Sequence, residues 1–181
     1  MAVGIHGAVQ KPDELAATLR MLARSRPAVV VEIGSDQGGT LWAWSQLPGS
    51  PAVFGVDLPD GNWRSSPAPP QPHGAVVISG DSHDPDVAAQ LEQALNGRQA
   101  DVLFIDGDHS YPGVSADFRD YLRFVRTGGL VLLHDILIDS IAPFWAELRQ
   151  RYQTQEITTP GEPRYGVGVV ELVQQYSNPV R

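Results

Sequence analysis

Two stretches of the chain concentrate groups able to hold a cation and move a proton. Residues 103–111 read LFIDGDHSY and carry Asp106, Asp108 and His109; residues 130–136 read LVLLHDI and carry His134 and Asp135. Carboxylate oxygens and imidazole nitrogens suit a divalent cation, and with no cysteine in the chain no thiolate competes as ligand. Asp106, His134 and Asp135 are the expected ligands. Oxygen donors favour Mg²⁺, while an imidazole tilts the preference toward Mn²⁺. Such an ion would chelate a substrate hydroxyl and lower its pKa, leaving His109, on the turn beyond Asp106, to take the proton. Asp108 has a plainer role open to it as a helix cap, and His134, inside an apolar run, is as well suited to packing as to binding.

A second cluster lies upstream, where residues 31–40 read VEIGSDQGGT, a glycine-rich link from an apolar run into a helix. Glycine there lets backbone and ligand approach closely. The spacing is not the Gly-x-Gly-x-x-Gly of dinucleotide sites: Asp36 stands where the middle glycine belongs, and Glu32 and Asp36 would repel a pyrophosphate. A cationic ligand with a free ribose fits better, and S-adenosylmethionine, with its sulfonium and ammonium, is such a ligand. Glu32, Gly34, Ser35 and Gly38 would form its near wall, and Asp57, closing the next apolar run, would accept both ribose hydroxyls.

These groups act together only if they share one edge of a sheet. Residues 28–33, 52–56, 75–79, 101–105 and 130–136 are apolar runs too short for helices and rich in β-branched residues. Unbroken apolarity marks strands covered on both faces, as in a parallel sheet. An acid closes or follows each run (Glu32, Asp57, Asp81, Asp106, Asp135), about 25 residues apart, so the five line one crevice. Residues 11–24 predict an opening helix, with Pro12 at its first position and Leu15, Leu19 and Leu22 on one face. A helix capped by Asp84 runs Val87, Leu91, Leu95 to Gly97, and another carries Val114, Phe118, Tyr121, Leu122 and Val125 before Gly128. Residues 141–152 look helical, and residues 165–172 alternate as a late strand. The expectation is an α/β, doubly wound fold: a mostly parallel sheet with a late antiparallel strand.

Composition sets the outer limits. With 181 residues, 42% apolar and 19% charged, a single domain over residues 1–181 is expected, with an N-terminal helix region at 1–27 and a proline-rich loop at 61–73. Thirteen basic against 21 acidic residues leave a net charge of -8, and one lysine, Lys11, cannot track a phosphate backbone, so nucleic acid is not an expected partner. Neither a charged-then-apolar leader nor a long apolar run is present, which predicts no membrane partner and a cytoplasmic location. One chain leaves a homo-oligomer open.

The stretches GIHGAVQKPDEL, PAVVVEIGSDQGGTLWAW, VFGVDL, GDSHDPDV, LFIDGDHSYPGVSADF and GGLVLLHDI together resemble class I S-adenosylmethionine-dependent methyltransferases. Within that class the chain is similar to small-molecule O-methyltransferases of the cephalosporin hydroxylase-like and macrolide sugar types. The resemblance implies a Rossmann-like fold, the methionine part near Glu32 and Gly34, ribose at Asp57, and adenine near Asp81 and Ser82. It further implies Mg²⁺ on Asp106 and Asp135, His109 as base, and a hydroxylated small molecule as methyl acceptor. His134 departs from the pattern, since such members often carry another carboxylate there. Candidates for the acceptor's walls are His6, Trp63, Arg64 and Tyr165. Two other readings stay open. Asp106-Gly107-Asp108 matches the Asp-x-Asp of metal-dependent phosphotransferases and glycosyltransferases, and the crevice could serve a non-catalytic module that binds adenosine ligands.

Overall fold

β-branched strands screened on both faces by amphipathic helices give a seven-stranded sheet in the computed structural model, which describes residues 8, 10–59, 74–161 and 164–173. In chain order the elements are α1 (Pro12–Ser25), β1 (Val29–Ile33), α2 (Gly39–Ser45), β2 (Ala52–Asp57), β3 (Val76–Ser79), α3 (Pro85–Leu95), β4 (Ala100–Ile105), α4 (Tyr111–Tyr121), β5 (Val125–Leu133), α5 (Ala142–Arg151), β6 (Gln153–Ile157) and β7 (Val167–Glu171). The strand order is β3-β2-β1-β4-β5-β7-β6. Strands β1 to β5 pair in parallel, and β7 runs antiparallel to both β5 and β6. The chain moves outward from β1 to β3 and then returns to β4, so β1 and β4 flank the switch point where open α/β sheets hold ligands.

Alternation along each strand divides the core in two. Val29, Val31 and Ile33 of β1 pack with Leu91 of α3, Phe118 of α4 and Trp145 of α5. Val30 faces the other way, onto Leu22 of α1 and Leu41 and Trp44 of α2. The helix ends follow ordinary capping chemistry: Asp84 accepts from the Asp86 amide (2.9 Å) and Ser110 from the Gly113 amide (3.1 Å). The strand exits are stitched by backbone bonds, from the amides of Gly80 to Asp57, Gly34 to Val56, Asp106 to Ile33 and His134 to Ile105, at 2.8–3.0 Å. These bonds put the acid-bearing turns at one edge.

The expected fold class is found, with three differences in detail. Helix α4 ends at Tyr121 and a 3-10 turn, Leu122–Phe124, leads straight into β5, so Val125 opens a strand instead of closing a helix. Strand β6, QTQEI, escapes a hydrophobicity reading because it is an edge strand of which only Ile157 is buried. Strand β3 begins one residue later than its apolar run. The proline-rich loop at 61–73 and the residues His6, Trp63 and Arg64 lie outside the described residues. No helix among the described residues is long and apolar enough to cross a membrane.

Close packing between α5 and β7 supplies a first test. A Cβ on Gly168 would lie 2.6–2.8 Å from three ring atoms of Trp145, whose indole is buried and hydrogen-bonded to Glu156. Gly168→Ala should destabilise the fold by about 1–3 kcal/mol through overpacking, read as a lower urea midpoint at unchanged slope.

Candidate functional site

Three clefts open on the edge where β1, β2, β4 and β5 end, and Asp106 walls all three. The first, about 560 Å³, runs from Gly34 and Asp36 past Asp57 to the turn carrying Gly80, Asp81, Ser82 and His83, with Gly107 and Asp108 opposite. The second, about 210 Å³, lies between Gln10 and the turn of Gly34, Ser35, Asp36, Gly39 and Thr40, and includes His109. The third, about 390 Å³, is bounded by Gln10, Lys11, Pro12, His109, His134, Asp135 and Tyr165. The Lys11 ammonium stands 4.7 Å from the centre of the Tyr165 ring.

The glycine-rich turn is shaped by the approach of two chain segments. Gly34 has φ +83, and a Cβ there would fall 2.2 Å from the Asp106 carbonyl oxygen, so only glycine lets the turns after β1 and β4 meet. Ser35 is buried on the wall of the second cleft, and Gly38 caps α2 in the left-handed region. Asp57 donates nothing and accepts from the Leu58 amide through Oδ1 (2.9 Å); its Oδ2 is buried without a hydrogen-bond partner. Burial, reinforced by the facing Asp36 charge, raises its carboxyl above the ordinary range.

Glu32 sits deeper than the other strand-end acids. Alternation along β1 turns it to the α2 face, where its exposure is zero, with Thr40 donating to Oε1 and the Trp44 indole to Oε2 (3.1 Å). It lines none of these three clefts and anchors α2 beneath the glycine turn. Burial without a cationic partner pushes its carboxyl up to about 8, against the hydrogen bonds from Thr40 and Trp44.

Asp106 is the hub of the other half. Its Oδ2 accepts from the Gln10 amide (2.7 Å), while Oδ1 meets His109 Nε2 (3.2 Å) and His134 Nδ1 (3.0 Å). Burial opposes its charge, but the hydrogen bonds from His109, His134 and Gln10 hold its carboxyl below the usual range. Asp135 turns back toward this group in the left-handed region at φ +56, an uncommon conformation for a side-chain-bearing residue that strained sites tolerate. Its carboxylate comes within 3.2 Å of His134 Nδ1 and 3.8 Å of His109 Nε2. Ligand atoms of Asp106, His134 and Asp135 all lie within 4.8 Å of one another, which brings the expected cation ligands together. His109 is half exposed, and the hydrogen bond to Asp106 raises its pKa.

Asp81 and Ser82 line the first cleft, 24 and 25 positions along from Asp57. Asp108 is exposed and accepts from the amide of Ser110 (2.8 Å), the residue that caps α4, so the cap itself is not Asp108. Three residues of the site were missed. Gln10 precedes the first helix with no pattern to mark it; Glu14, assigned to helix-end electrostatics, is buried and accepts from the Thr159 amide (3.3 Å); Asp117 is buried on the apolar face of α4. An acid at a core position of an amphipathic helix is the signal that could have revealed the last two.

The family profile described as methyltransferase domain matches residues 31–136, more than half of the 181, and the chain belongs to this family. An uncharacterised protein of Acanthamoeba polyphaga mimivirus is 33% identical over 112 residues, covering 58% of this chain and 50% of its own. The ribosomal RNA large subunit methyltransferase E of Granulibacter bethesdensis is 29% identical over 147 residues, 78% of this chain and 56% of its own. The chain thus spans about half the length of the curated relatives it matches. Among solved structures, an O-methyltransferase from Bacillus cereus in complex with SAH superposes with a TM-score of 0.70 at 19% identity, over 94% of this chain and 86% of that one. The MycE methyltransferase of the mycinamycin biosynthetic pathway, in complex with Mg and SAH, gives 0.63 at 18% identity, over 95% and 58%. At such identities the likeness is one of fold.

The buried Glu32 generates a test of pH dependence. Between the model-peptide value of 4.5 and about 8 the folded chain keeps a proton that the unfolded chain has released. Its contribution to stability is therefore full below that window and is lost as pH rises through it, by at most about 1.4 kcal/mol per pH unit. Glu32→Gln should flatten this decline and be more stable than the wild-type chain at pH 8.5, as read by urea unfolding across pH 5 to 9; an unchanged slope would contradict the assignment.

Proposed function

We propose that the chain is an S-adenosylmethionine-dependent O-methyltransferase, a single domain over residues 1–181 that methylates a hydroxyl of a small molecule with the help of a divalent cation. The observation that carries the reading is that one residue, Asp106, walls three clefts at once. Direct group transfer needs donor and acceptor in contact, and clefts converging on one point provide for it.

The donor set supports each ligand. Asp57 Oδ2, buried and without a partner, suits a ribose hydroxyl, and Gly34 lets the turn after β1 pack directly on the turn after β4 beside it. Gly34, Ser35 and Gly38 then shape the methionine end, and Asp81 and Ser82 the base end, with Glu32 fixing α2 from beneath. When bound, S-adenosylmethionine supplies a methyl group on a sulfonium that can leave as a neutral thioether. Asp106, His134 and Asp135 would hold Mg²⁺ or Mn²⁺, and His134 Nε2 is buried without a hydrogen-bond partner. Such a cation acts as a Lewis acid toward an acceptor hydroxyl.

His109 walls both the second and third clefts, the boundary between donor and acceptor sides. Asp106 and Asp135 orient its imidazole and strengthen it as a base toward the acceptor's hydroxyl proton. Lys11, Pro12 and Tyr165 line the acceptor side. The Asp-x-Asp reading loses ground because Asp108 is exposed and stands apart from the group of Asp106, His134 and Asp135. The ribosomal RNA methyltransferase relative favours an RNA acceptor as a second reading, against which stand the net charge of -8 and the single lysine.

Calorimetry with S-adenosylhomocysteine tests the donor side: Asp57→Ala should bind at least about tenfold more weakly than the wild-type chain, a charge-assisted hydrogen bond being lost. No binding by the wild-type chain would overturn the reading. On the acceptor side, His109→Ala should lower turnover of a hydroxylated acceptor by about 10²–10⁴ with S-adenosylhomocysteine affinity unchanged. Unchanged turnover would remove the base assignment, and turnover of an RNA substrate alone would favour the second reading.

A further inference from the structure

Helix α4 carries Asp117 in register with Val114, Phe118 and Tyr121, on the face that enters the core. Its exposure is zero, and its side chain is met by Ser82 and His83, not by Lys or Arg. A buried acid is costly unless its hydrogen bonds serve something. Those of Asp117 reach the turn after β3. Ser82 Oγ donates to Asp117 Oδ1 at 2.6 Å, and His83 Nε2 lies 3.3 Å from the same oxygen. His83 Nε2 also lies 3.3 Å from the Gly113 carbonyl, and since both of its partners are acceptors this nitrogen carries the proton. One turn further along α4, the Tyr121 hydroxyl donates to the Ser82 carbonyl at 3.0 Å. Helix α4 thus grips Ser82 at both side chain and backbone, and Ser82 and His83 wall the first cleft.

We infer that Asp117 is a positioning residue that makes Ser82 a hydrogen-bond acceptor toward the first cleft, and so selects a base carrying an amino group over one carrying a carbonyl at the same place. This rests on the reading of that cleft as the nucleoside site. A hydroxyl has one proton and two lone pairs; with the proton committed to Asp117, only lone pairs remain for a ligand. They receive the exocyclic N–H of adenine and oppose the carbonyl oxygen of hypoxanthine. Burial raises the Asp117 carboxyl, against the Ser82 hydrogen bond and the neighbouring His83, and either protonation state of the unpartnered Oδ2 leaves Oδ1 accepting.

Binding of S-adenosylhomocysteine and S-inosylhomocysteine, measured by calorimetry, tests the inference through a ratio that a merely structural role would not move. The wild-type chain should prefer the adenine ligand by about tenfold or more, since an acceptor facing an acceptor loses a hydrogen bond. Ser82→Ala and Asp117→Ala should each bring the ratio toward one, and the double variant should be no worse than either. Asp117→Asn, whose amide oxygen can still accept from Ser82, should keep the preference. Equal loss of both ligands in Asp117→Ala, or an undiminished ratio in Ser82→Ala, would overturn the inference; the Ser82 variant decides even if Asp117→Ala fails to fold. A wild-type chain that binds neither ligand would overturn the nucleoside reading itself.

Discussion

A nearly buried carboxylate with no lysine or arginine beside it organises this molecule. Asp106 keeps its charge because two imidazoles and an amide donate to it, from the loop before α1, the turn before α4 and the exit of β5. Removing any of these would leave the burial cost less compensated. The same residue's carbonyl presses on Gly34, so the turn after β1 is shaped by the turn after β4. Side chain and backbone of one residue thus couple the ligand-facing turn to the group that could hold a cation.

The sheet makes this coupling affordable by supplying rigid exits. The residue after each of β1, β3, β4 and β5 donates to a backbone carbonyl at the end of the neighbouring strand, which holds these turns in register. Side chains on the turns are then free for ligands, while those one residue earlier belong to the layers. Glu32 shows the boundary: one position before the end of β1 it is a fully buried anchor, whereas Asp57, the last residue of β2, faces a cleft. Beyond β5 the chain turns toward α5 through the left-handed Asp135, trading backbone comfort for the direction of a carboxylate.

The strands and the acids at their exits were legible because parallel strands are unbroken apolar runs and because an acid ending such a run is conspicuous. Helix starts were legible where Pro12, Asp84 and Pro85 supply local chemistry. What stayed hidden depends on partners distant in the chain. Gln10 and Asp106 are 96 positions apart, and Ser82 and Asp117 are 35 apart, so no local spacing signals either bond. At Glu32 two signals meet: its place near a strand end points to the crevice, while the two-residue alternation turns its side chain inward. Strand β6 lacked the apolar pattern because an edge strand needs little of it.

The most direct measurement of how these parts cooperate is a crystal structure of the chain grown with S-adenosylhomocysteine and Mn²⁺, with anomalous data collected at the manganese edge. The expected result has the ribose hydroxyls on Asp57, the sulfur directed toward Asp106, and an anomalous peak within coordination distance of Asp106 and Asp135. A nucleoside seated outside the first cleft, or a metal bound away from Asp106, would contradict the convergence of donor, acceptor and cation on that one carboxylate.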